Sequence, residues 1–393
     1  MERLTGGLQN YAWGSTTLLA SLRGDGASVE PEAEIWYGAH HGVATLCDDG
    51  KSLLERIEAN PVELLGQPIV DRFGPKLPLL LKLLAAGSPL SIQAHPSIEQ
   101  AQRGFAAEEA AGIPRDAAHR SFRDDNHKPE LICALTPFEA LVGFRDVAET
   151  AAFLRELEIE VAVEQDGPKD ALVKFWLDES RLDEENHSRF LEARAKFIDH
   201  LVNAAASYVG ERWAAESALI GRLAEKYPGD PGIIVAATLN YVVLEPGEAL
   251  YLGAGNMHAY VSGLGVEIMA NSDNVLRCGL TPKHIDVPNL LDVVVPDSLT
   301  PTPVEIDPDG RYLTPAPEFE LRRLDPAEGT EVEGPAIVLC TEGTVTVTQD
   351  GEAIELVPTD AAWLAVGERA TVTGNASVAF LASVGAPSTI VGG

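Results

Sequence analysis

The sequence predicts a mainly β protein that is interrupted by an α-helical insert. Short stretches of alternating polar and apolar residues, separated by Gly, Asn and Pro, fill residues 1–145 and return after residue 225. Between them, over residues 146–225, apolar residues recur at helical spacing while Pro and Gly become rare. A chain of 393 residues, 45% of them hydrophobic, is long enough for two or three domains with sizeable cores.

The overall composition argues against several classes of protein. The formal net charge is −31 and there is no basic run, so we do not expect a nucleic-acid partner. No apolar run has transmembrane length and the N-terminus lacks a basic-then-apolar signal, so we expect a cytoplasmic protein without a membrane partner. The four cysteines lack CxxC spacing, which favours reduced thiols.

Two short helices are predicted within the first β-rich region, at residues 51–66 and 97–111. Ser52 and Ser97 are suitable N-cap residues, because an acidic residue follows each of them three or two positions later. A serine hydroxyl in this position can accept a backbone N–H bond that the first helical turn leaves unpaired.

A predicted strand at residues 89–96, Pro-Leu-Ser-Ile-Gln-Ala-His-Pro, carries the first candidate ligands. Alternation places its apolar residues on one face and Ser91, Gln93 and His95 on the other. Gln93 and His95 therefore point the same way, as two ligands of one metal ion must. Taken alone, the stretch is better explained as a half-buried strand with a solvated face, because Gln is an uncommon metal ligand.

The segment Asn126-His127-Lys128-Pro129-Glu130 leads into an apolar run and offers a third candidate ligand. Alternation puts Lys128 and Glu130 on the same face. In isolation, the better interpretation is a solvated strand edge. The alternative is that Glu130 provides an anionic oxygen ligand while Lys128 points into the same cavity as a donor or proton carrier.

The helical insert, residues 146–225, shows its period most clearly near its end. We predict that it forms a separate helical domain with a packing and lid role, because one face is apolar and charged residues fill the other. The apolar positions that follow helical spacing are Phe190, Phe197, Ile198, Leu201, Val202 and Ala205.

Strands resume in a glycine-rich segment, residues 245–258, that ends on His258. A turn glycine opens the strand, paired glycines close it, and the histidine enters the next strand. This rhythm resembles the second motif of the cupin superfamily, whose small jelly-roll β-barrels hold a metal ion inside the barrel. Gly253 stands where that superfamily usually has proline. His258 then resembles the metal-binding histidine of the motif.

Two cations follow in the segment 265–283 of this very acidic chain, Arg277 and Lys283. An anionic substrate would need such a local basic pocket, because the overall field of the protein repels it. Both residues lie close in sequence to the presumed metal strand, so we expect the substrate there. We also assign Asp273, in the same segment, to substrate binding.

The last region, residues 291–393, is proline-rich at first and then strand-rich, with an alternating strand that enters the turn at Asp350-Gly351. It looks like a second, degenerate cupin barrel, with which the N-terminal strands can pack. No histidine occurs after His284, so we predict a metal-free, structural domain. The predicted catalytic barrel comprises residues 1–145 and 226–290, split by the helical insert.

Five motifs taken together resemble the type I phosphomannose isomerases, a family of the cupin superfamily. They are QNYAWGS at 9–15, PLSIQAHPS at 89–97, NHKPE at 126–130, GNMHAY at 255–260 and GVEIMANSDNVLRCGLTPK at 265–283. The resemblance implies an aldose–ketose isomerase that interconverts mannose 6-phosphate and fructose 6-phosphate with one zinc ion per chain. It further implies an active-site arginine at Arg277 and a zinc shell formed by Gln93, His95, Glu130 and His258.

Isomerisation of an open-chain sugar requires a proton to move between adjacent carbons through an enediolate. Glu267 and Lys128 are the candidate bases, and the sequence alone does not choose between them. Candidate contacts to the sugar hydroxyls or phosphate are Ser91, Lys283 and Lys82. Lys82 precedes an apolar pair, and an edge lysine is an equal alternative for it.

Two functions from other classes remain as alternatives. One is a bicupin oxygenase with iron in the same barrel, although such sites usually have two or three histidines and a carboxylate. The other is a non-catalytic sugar-phosphate binding protein, which would need the cations but not the metal shell. For the isomerase we expect a small phosphosugar substrate and a monomer, with a homodimer as the alternative.

Overall fold

The computed structural model of the chain describes residues 1–159, 184–295 and 297–385. Within these ranges there are twenty β-strands and ten α-helices, and all the sheet pairings between the strands are antiparallel. The prediction of a mainly β protein with helices is therefore confirmed. Residues 160–183 of the predicted helical insert lie outside the described part of the chain.

The strands, named β1 to β20 in chain order, are Glu2–Thr5, Gly7–Gln9, Glu34–Gly38, Leu46–Cys47, Leu79–Ala86, Ile92–Ala94, Glu130–Ala134, Phe138–Phe144, Leu239–Leu244, Ala249–Leu252, His258–Ala270, Leu276–Gly279, Glu320–Leu324, Thr330–Glu333, Ala336–Glu342, Val345–Gln349, Glu352–Leu356, Ala361–Leu364, Arg369–Thr373 and Val378–Ser383. The helices, α1 to α10, are Leu18–Arg23, Leu53–Ala59, Pro61–Leu65, Gln67–Phe73, Ile98–Ala110, Val147–Glu156, Glu184–Ala206, Ala214–Lys226, Gly232–Ala236 and Val287–Val293. A 3₁₀ turn covers Pro326–Glu328.

Both predicted N-caps are present. Ser52 caps α2 and Ser97 caps α5, each through a reciprocal pair of hydrogen bonds with the side chain three residues later. For Ser97 that side chain is Gln100, whereas the acidic Glu99 accepts a bond from the serine hydroxyl. The predicted helix at 51–66 divides in two, because Pro61 lacks an N–H and begins a new helix.

The long strand β11 organises a ten-stranded sheet. Its first half pairs with β6 and β8, and its second half pairs with β5 and β7. The change of partner falls at Gly263, whose φ of +123° lies in the left-handed region. A Cβ atom there would lie 2.8 Å from the ring of Phe138. One strand thus carries His258 into one group of strands and Glu267 into another.

Two further sheets contain the C-terminal strands. One has six strands in the order β13-β20-β15-β18-β1-β4, and the other has four in the order β14-β19-β16-β17. Apolar residues from both sheets form a common core, among them Val338, Val345 and Val372. The N-terminal strand β1 lies inside the six-stranded sheet, where Leu4 pairs with Ala361 of β18. The two ends of the chain are therefore folded together.

The helices α6 to α9 pack on the sheet near β6 and β12. One core cluster contains Phe153 of α6, Leu201 of α7 and Leu223 of α8 together with Ile92 of β6 and Leu276 of β12. The helix predicted from the apolar spacing is confirmed as α7, since Ile198, Leu201 and Ala205 are buried.

The four cysteines are all buried, and none of them forms a disulfide. This agrees with the prediction of reduced thiols. In the described part of the chain, no helix is both long enough and apolar enough to cross a membrane.

Candidate metal centre and its surroundings

The sheet brings the four predicted metal ligands to one place. Gln93 lies in β6 and His95 directly follows that strand, while Glu130 begins β7 and His258 begins β11. In the pairing of β11 with β6, His258 is opposite Gln93. The spatial convergence predicted for these residues is present, although they lie far apart in the sequence.

Three of these side chains point their ligand atoms at a common point. Nε2 of His95 lies 3.3 Å and Nε2 of His258 lies 3.4 Å from Oε2 of Glu130. One ligand atom from each of the three residues lies within 4.8 Å of the other two. All three residues are about 1% exposed, so the cluster is shielded from water.

Two of these atoms have no hydrogen-bond partner among the residues that the structure describes. They are Nε2 of His95 and Oε2 of Glu130, and both are buried. A buried polar atom without a partner costs roughly 1–3 kcal/mol, so proteins seldom leave one unsatisfied. A metal cation at the common point would satisfy both atoms. Two imidazoles and a carboxylate, with no thiolate, fit the donor set of a catalytic zinc ion.

The imidazole rings are held from behind by backbone carbonyl groups. Nδ1 of His95 donates to the carbonyl oxygen of Asn274 at 2.7 Å, and Nδ1 of His258 donates to that of Asn256 at 2.9 Å. These bonds place the proton on Nδ1 and leave the Nε2 lone pair facing the centre. Burial, together with the charge of Lys128, lowers the pKa of His95 to about 4, which keeps its ring neutral.

Lys128 and Gln93 complete the immediate surroundings. The Lys128 ammonium lies 2.8 Å from Oε1 of Glu130, so Glu130 has a cation on one oxygen and an open second oxygen. Burial alone would raise the pKa of Glu130, but Lys128 and the nearby histidines hold it well below its usual range. The amide of Gln93 turns its Nε2 atom towards Nε2 of His258, at 3.4 Å.

A second buried charge cluster lies further along β11. The ammonium of Lys82 is 2.9 Å from Glu267 and 3.4 Å from Glu34. Burial alone would lower the pKa of Lys82, but Glu267 and Glu34 outweigh that effect and raise it. Trp36 donates to the other oxygen of Glu34 at 2.9 Å and lies face-on to Lys82.

Lys82 is therefore not an edge lysine, and that alternative is wrong. It lies in β5, which pairs with β3 on one side and β11 on the other, and it is 5% exposed. Sequence reasoning missed Glu34. Strand alternation puts it on the same face as Trp36, two residues later, and this pattern could have drawn attention to it. Glu267, one of the two candidate bases, is 2% exposed.

A cluster of three cations, Arg123, Arg277 and Lys283, lies beside the candidate metal centre. Arg277 is half-buried in β12, directly opposite Gln93 of β6, and Lys283 is exposed in the loop after it. Burial and the charge of Arg123 lower the pKa of Arg277, while burial, Arg277 and Arg123 lower that of Lys283. No carboxylate of the described residues forms an ion pair with any of the three.

Arg123 was not predicted from the sequence. It occurs singly in a stretch of mixed charge, three residues before the motif that begins at Asn126, so no pattern marked it. Of the remaining predicted contacts, Ser91 directly precedes β6 and is partly buried. The Asp273 carboxylate lies 3.4 Å from Nε2 of His40.

The chain matches one family model in its N-terminal part and known relatives and solved structures over most of its length. Residues 1–147 match the family model "Phosphomannose isomerase type I, catalytic domain". The mannose-6-phosphate isomerase of Escherichia coli (strain K12) is 39% identical over 96% of this chain and 98% of its own length. The corresponding Homo sapiens protein is 33% identical over 86% of both chains.

Solved structures agree with these relatives. A crystal structure of mannose 6-phosphate isomerase described as holo and zinc bound has a TM-score of 0.85 at 35% identity, over 98% of this chain and 99% of that one. The apo form from Salmonella typhimurium has a TM-score of 0.86, also at 35% identity and with the same coverage of both chains. The resemblance inferred from the five motifs is confirmed. This chain belongs to the type I phosphomannose isomerase family.

Proposed function

We propose that this chain is a zinc-dependent aldose–ketose isomerase that interconverts mannose 6-phosphate and fructose 6-phosphate. The observation that carries the proposal is the pair of unsatisfied buried atoms, Nε2 of His95 and Oε2 of Glu130. They lie beside cations that form no ion pair with any carboxylate of the described residues. The first feature suits a metal ion and the second suits a phosphorylated, anionic substrate. The matching relatives are mannose-6-phosphate isomerases, which supports this choice of substrate.

In this proposal Gln93, His95, Glu130 and His258 hold one zinc ion. The histidines would bind through Nε2 and the glutamate through Oε2, the atoms that already face the common point. Gln93 can bind only through its amide oxygen, so its amide must turn over from the orientation with Nε2 towards His258. When bound, zinc acts as a Lewis acid for the oxygens at the C1 and C2 end of the open-chain sugar.

Lys128 is the better candidate for moving the proton between the two carbons. Its ammonium is held beside the centre by Glu130, at 2.8 Å. Glu267 instead has its carboxylate bound to Lys82 and lies in the middle of a paired strand. We therefore assign Lys128 to proton transfer, in which its neutral amine takes the proton from one carbon and returns it to the other. Lys82 is then held away from the sugar, because both partners of its ammonium are the buried carboxylates of Glu34 and Glu267.

The cations of the cluster would bind different parts of the substrate. Arg277 lies opposite Gln93, so its guanidinium would stabilise the negative charge that develops on the enediolate oxygens. Lys283 is more exposed and would hold the phosphate together with Arg123. Ser91 directly precedes β6 and Asp273 lies shortly before β12, and both would contact sugar hydroxyls.

The finer architecture is also part of the proposal. The ten-stranded sheet would be the zinc-binding cupin barrel, from residues 1–145 and 226–290, and residues 146–225 a helical domain. The sheets of residues 291–393 would form a second cupin-like barrel without metal, which the lack of any histidine after His284 supports. We further propose that the protein is a cytoplasmic monomer. Analytical ultracentrifugation would test the oligomeric state.

The deciding experiment is a coupled assay that follows mannose 6-phosphate through fructose 6-phosphate to glucose 6-phosphate. We expect the zinc-loaded protein to convert mannose 6-phosphate. The His258→Ala variant should be inactive, because the substitution removes a proposed zinc ligand. His41→Ala, at an exposed histidine outside the centre, should keep its activity and is the matched control.

Two results would reject the isomerase. Oxygen consumption with a bound iron ion and no isomerisation would favour the oxygenase. Sugar-phosphate binding without turnover, in the protein whose zinc content has been verified, would favour a binding protein.

A further inference from the structure

Asn274 lies between the candidate metal centre and the cation cluster, and it is completely buried. Its side-chain oxygen accepts the backbone N–H groups of Arg123, at 2.7 Å, and Asp124, at 3.2 Å. Its side-chain amide donates to the carbonyl oxygens of Asp124 and Asn126, both at 2.8 Å. One asparagine thus fixes the backbone of the whole segment from residue 123 to residue 126.

The backbone of Asn274 is used as well. Its carbonyl oxygen accepts the Nδ1–H of His95 at 2.7 Å, which is the bond that orients this imidazole towards the centre. Its N–H donates to the hydroxyl of Ser272 at 3.2 Å. The position of the side chain therefore determines where the carbonyl oxygen behind His95 lies.

Asp124 closes the network from the other side. Its carboxylate accepts the hydroxyl of Ser272 at 2.8 Å and the N–H of Asp273 at 2.7 Å. Ser272 is 2% exposed, so these polar groups are shielded from water and satisfied by one another. A buried polar network of this kind is rigid, because every member that moved would leave an unsatisfied group.

The two segments that this network joins carry the groups that act on the substrate. Residues 123–126 begin with Arg123 of the cation cluster and lead into Lys128 and Glu130. Asn274 itself leads into β12, which carries Arg277. A change at Asn274 therefore displaces the metal side and the phosphate side of the site together.

We propose that Asn274 is a positioning residue that supports zinc binding and phosphate binding together. The inference rests on the proposed function, because it takes the cation cluster as the phosphate site and His95 as a zinc ligand. The physical basis is that one side chain holds both the carbonyl group that orients His95 and the loop that carries Arg123.

The test compares Asn274→Ala with Asn240→Ala. Asn240 also donates to three backbone carbonyls, those of Val142, Gly143 and Leu299. It lies opposite Val142, which pairs with His258, so it is on the metal side of the site and away from the cation cluster. Zinc affinity is measured by competition with a metallochromic chelator, and binding of inorganic phosphate to the zinc-saturated protein by calorimetry. Neither measurement requires turnover. The proposed role of Asn274 can therefore be rejected while the isomerase assignment holds, and the isomerase assignment can be rejected while the role of Asn274 holds.

We expect Asn274→Ala to weaken zinc binding about 10- to 100-fold, as loss of a group behind a metal ligand typically does. Phosphate binding should weaken several-fold even when zinc is saturating. Asn240→Ala should lower the melting temperature and leave phosphate binding to the zinc-saturated protein within about twofold of the wild type, because only the metal side of the site is next to it. A purely structural role for Asn274 would give the same pattern as this control.

Ser272→Ala provides a second variant if Asn274→Ala does not fold. It removes one hydroxyl from the same network, so both constants should change in the same direction by smaller factors. The proposal is overturned if both constants stay within about twofold of the wild type, or if only one of them changes.

Discussion

At the centre, each metal-facing side chain uses one polar atom to hold itself in place and directs the other at the common point. His95 and His258 donate from Nδ1 to backbone carbonyls, and Glu130 binds Lys128 through Oε1. The atoms that remain are Nε2 of both histidines and Oε2 of Glu130. The glutamate oxygen lies 3.3 Å from Nε2 of His95 and 3.4 Å from Nε2 of His258. Little reorganisation of these three side chains is then required when a cation binds.

The two main cations of the site should have different kinetic roles. We expect Arg277→Lys to lower turnover about 100- to 1000-fold with little change in the Michaelis constant, because a lysine keeps the charge but loses the planar fork. Lys283→Ala should mainly raise the Michaelis constant, since the phosphate carries the same charge throughout the reaction. Steady-state kinetics of both variants measure this split.

Lys196→Ala is a suitable control for the loss of one lysine. Lys196 is exposed on α7 and pairs with Glu192 of the same helix. The roles are reversed if Arg277→Lys changes only the Michaelis constant or if Lys283→Ala chiefly lowers turnover.

At the level of elements, a charged cluster links helix α8 to the sheet. Arg222 of α8 binds both oxygens of Glu139 of β8, at 2.7 and 3.0 Å. Ser262 of β11 and Tyr241 of β9 donate to the same carboxylate. Burial alone would raise the pKa of Glu139, but the bonds from Arg222, Ser262 and Tyr241 lower it to about 2.

Glu139→Gln should therefore destabilise the protein in a pH-dependent way. The folded-state pKa lies below the unfolded value of about 4.3, so the ionised carboxylate stabilises the fold above that value and loses its effect as the pH falls towards 2. At pH 7 we expect a loss of roughly 1–2 kcal/mol, because the site is partly solvated. The difference from the wild type should shrink between pH 5 and pH 2.

Melting temperatures over this pH range measure the effect. Glu58→Gln, at an exposed glutamate of α2, provides the comparison for loss of one surface charge. A Glu139→Gln difference that is constant with pH would show that the carboxylate charge does not contribute to stability.

At the scale of the whole molecule, large apolar cores hold the chain independently of the metal centre. One core cluster lies between the helices and the strands β6 and β12, and another extends from Leu4 and Leu53 to Phe380. Since β1 pairs inside the C-terminal sheet, contacts between the two ends also stabilise the fold. The metal should therefore serve chemistry rather than act as the only support of the structure.

Chelation should abolish activity while the fold persists. We expect a strong chelator to remove zinc and turnover with little change in the far-ultraviolet circular dichroism spectrum, and zinc to restore the activity. His95→Ala and His258→Ala should likewise lose zinc, by atomic absorption, with little change of fold. Global unfolding on chelation at moderate temperature would contradict this view of the metal.

The sequence by itself determined those features that depend on neighbours along the chain. The N-cap at Ser97 and the apolar period of α7 are present as predicted. Gln93 lies in the predicted strand, which is shorter than expected and ends at Ala94, directly before His95. Strand alternation, helical period and capping are set by local backbone geometry, so a linear pattern is enough to predict them. The five motifs likewise identified the family.

Only the tertiary structure decided which distant side chains meet. Lys82 contacts Glu34 and Glu267, which are 48 and 185 residues away in sequence, and its burial excluded an edge position. The same holds for Arg123, which is far from Arg277 in sequence and lies close enough in the folded chain for its charge to act on Arg277. Such contacts depend on sheet order and register, which are set by the packing of the whole core and leave no periodic signal near either residue.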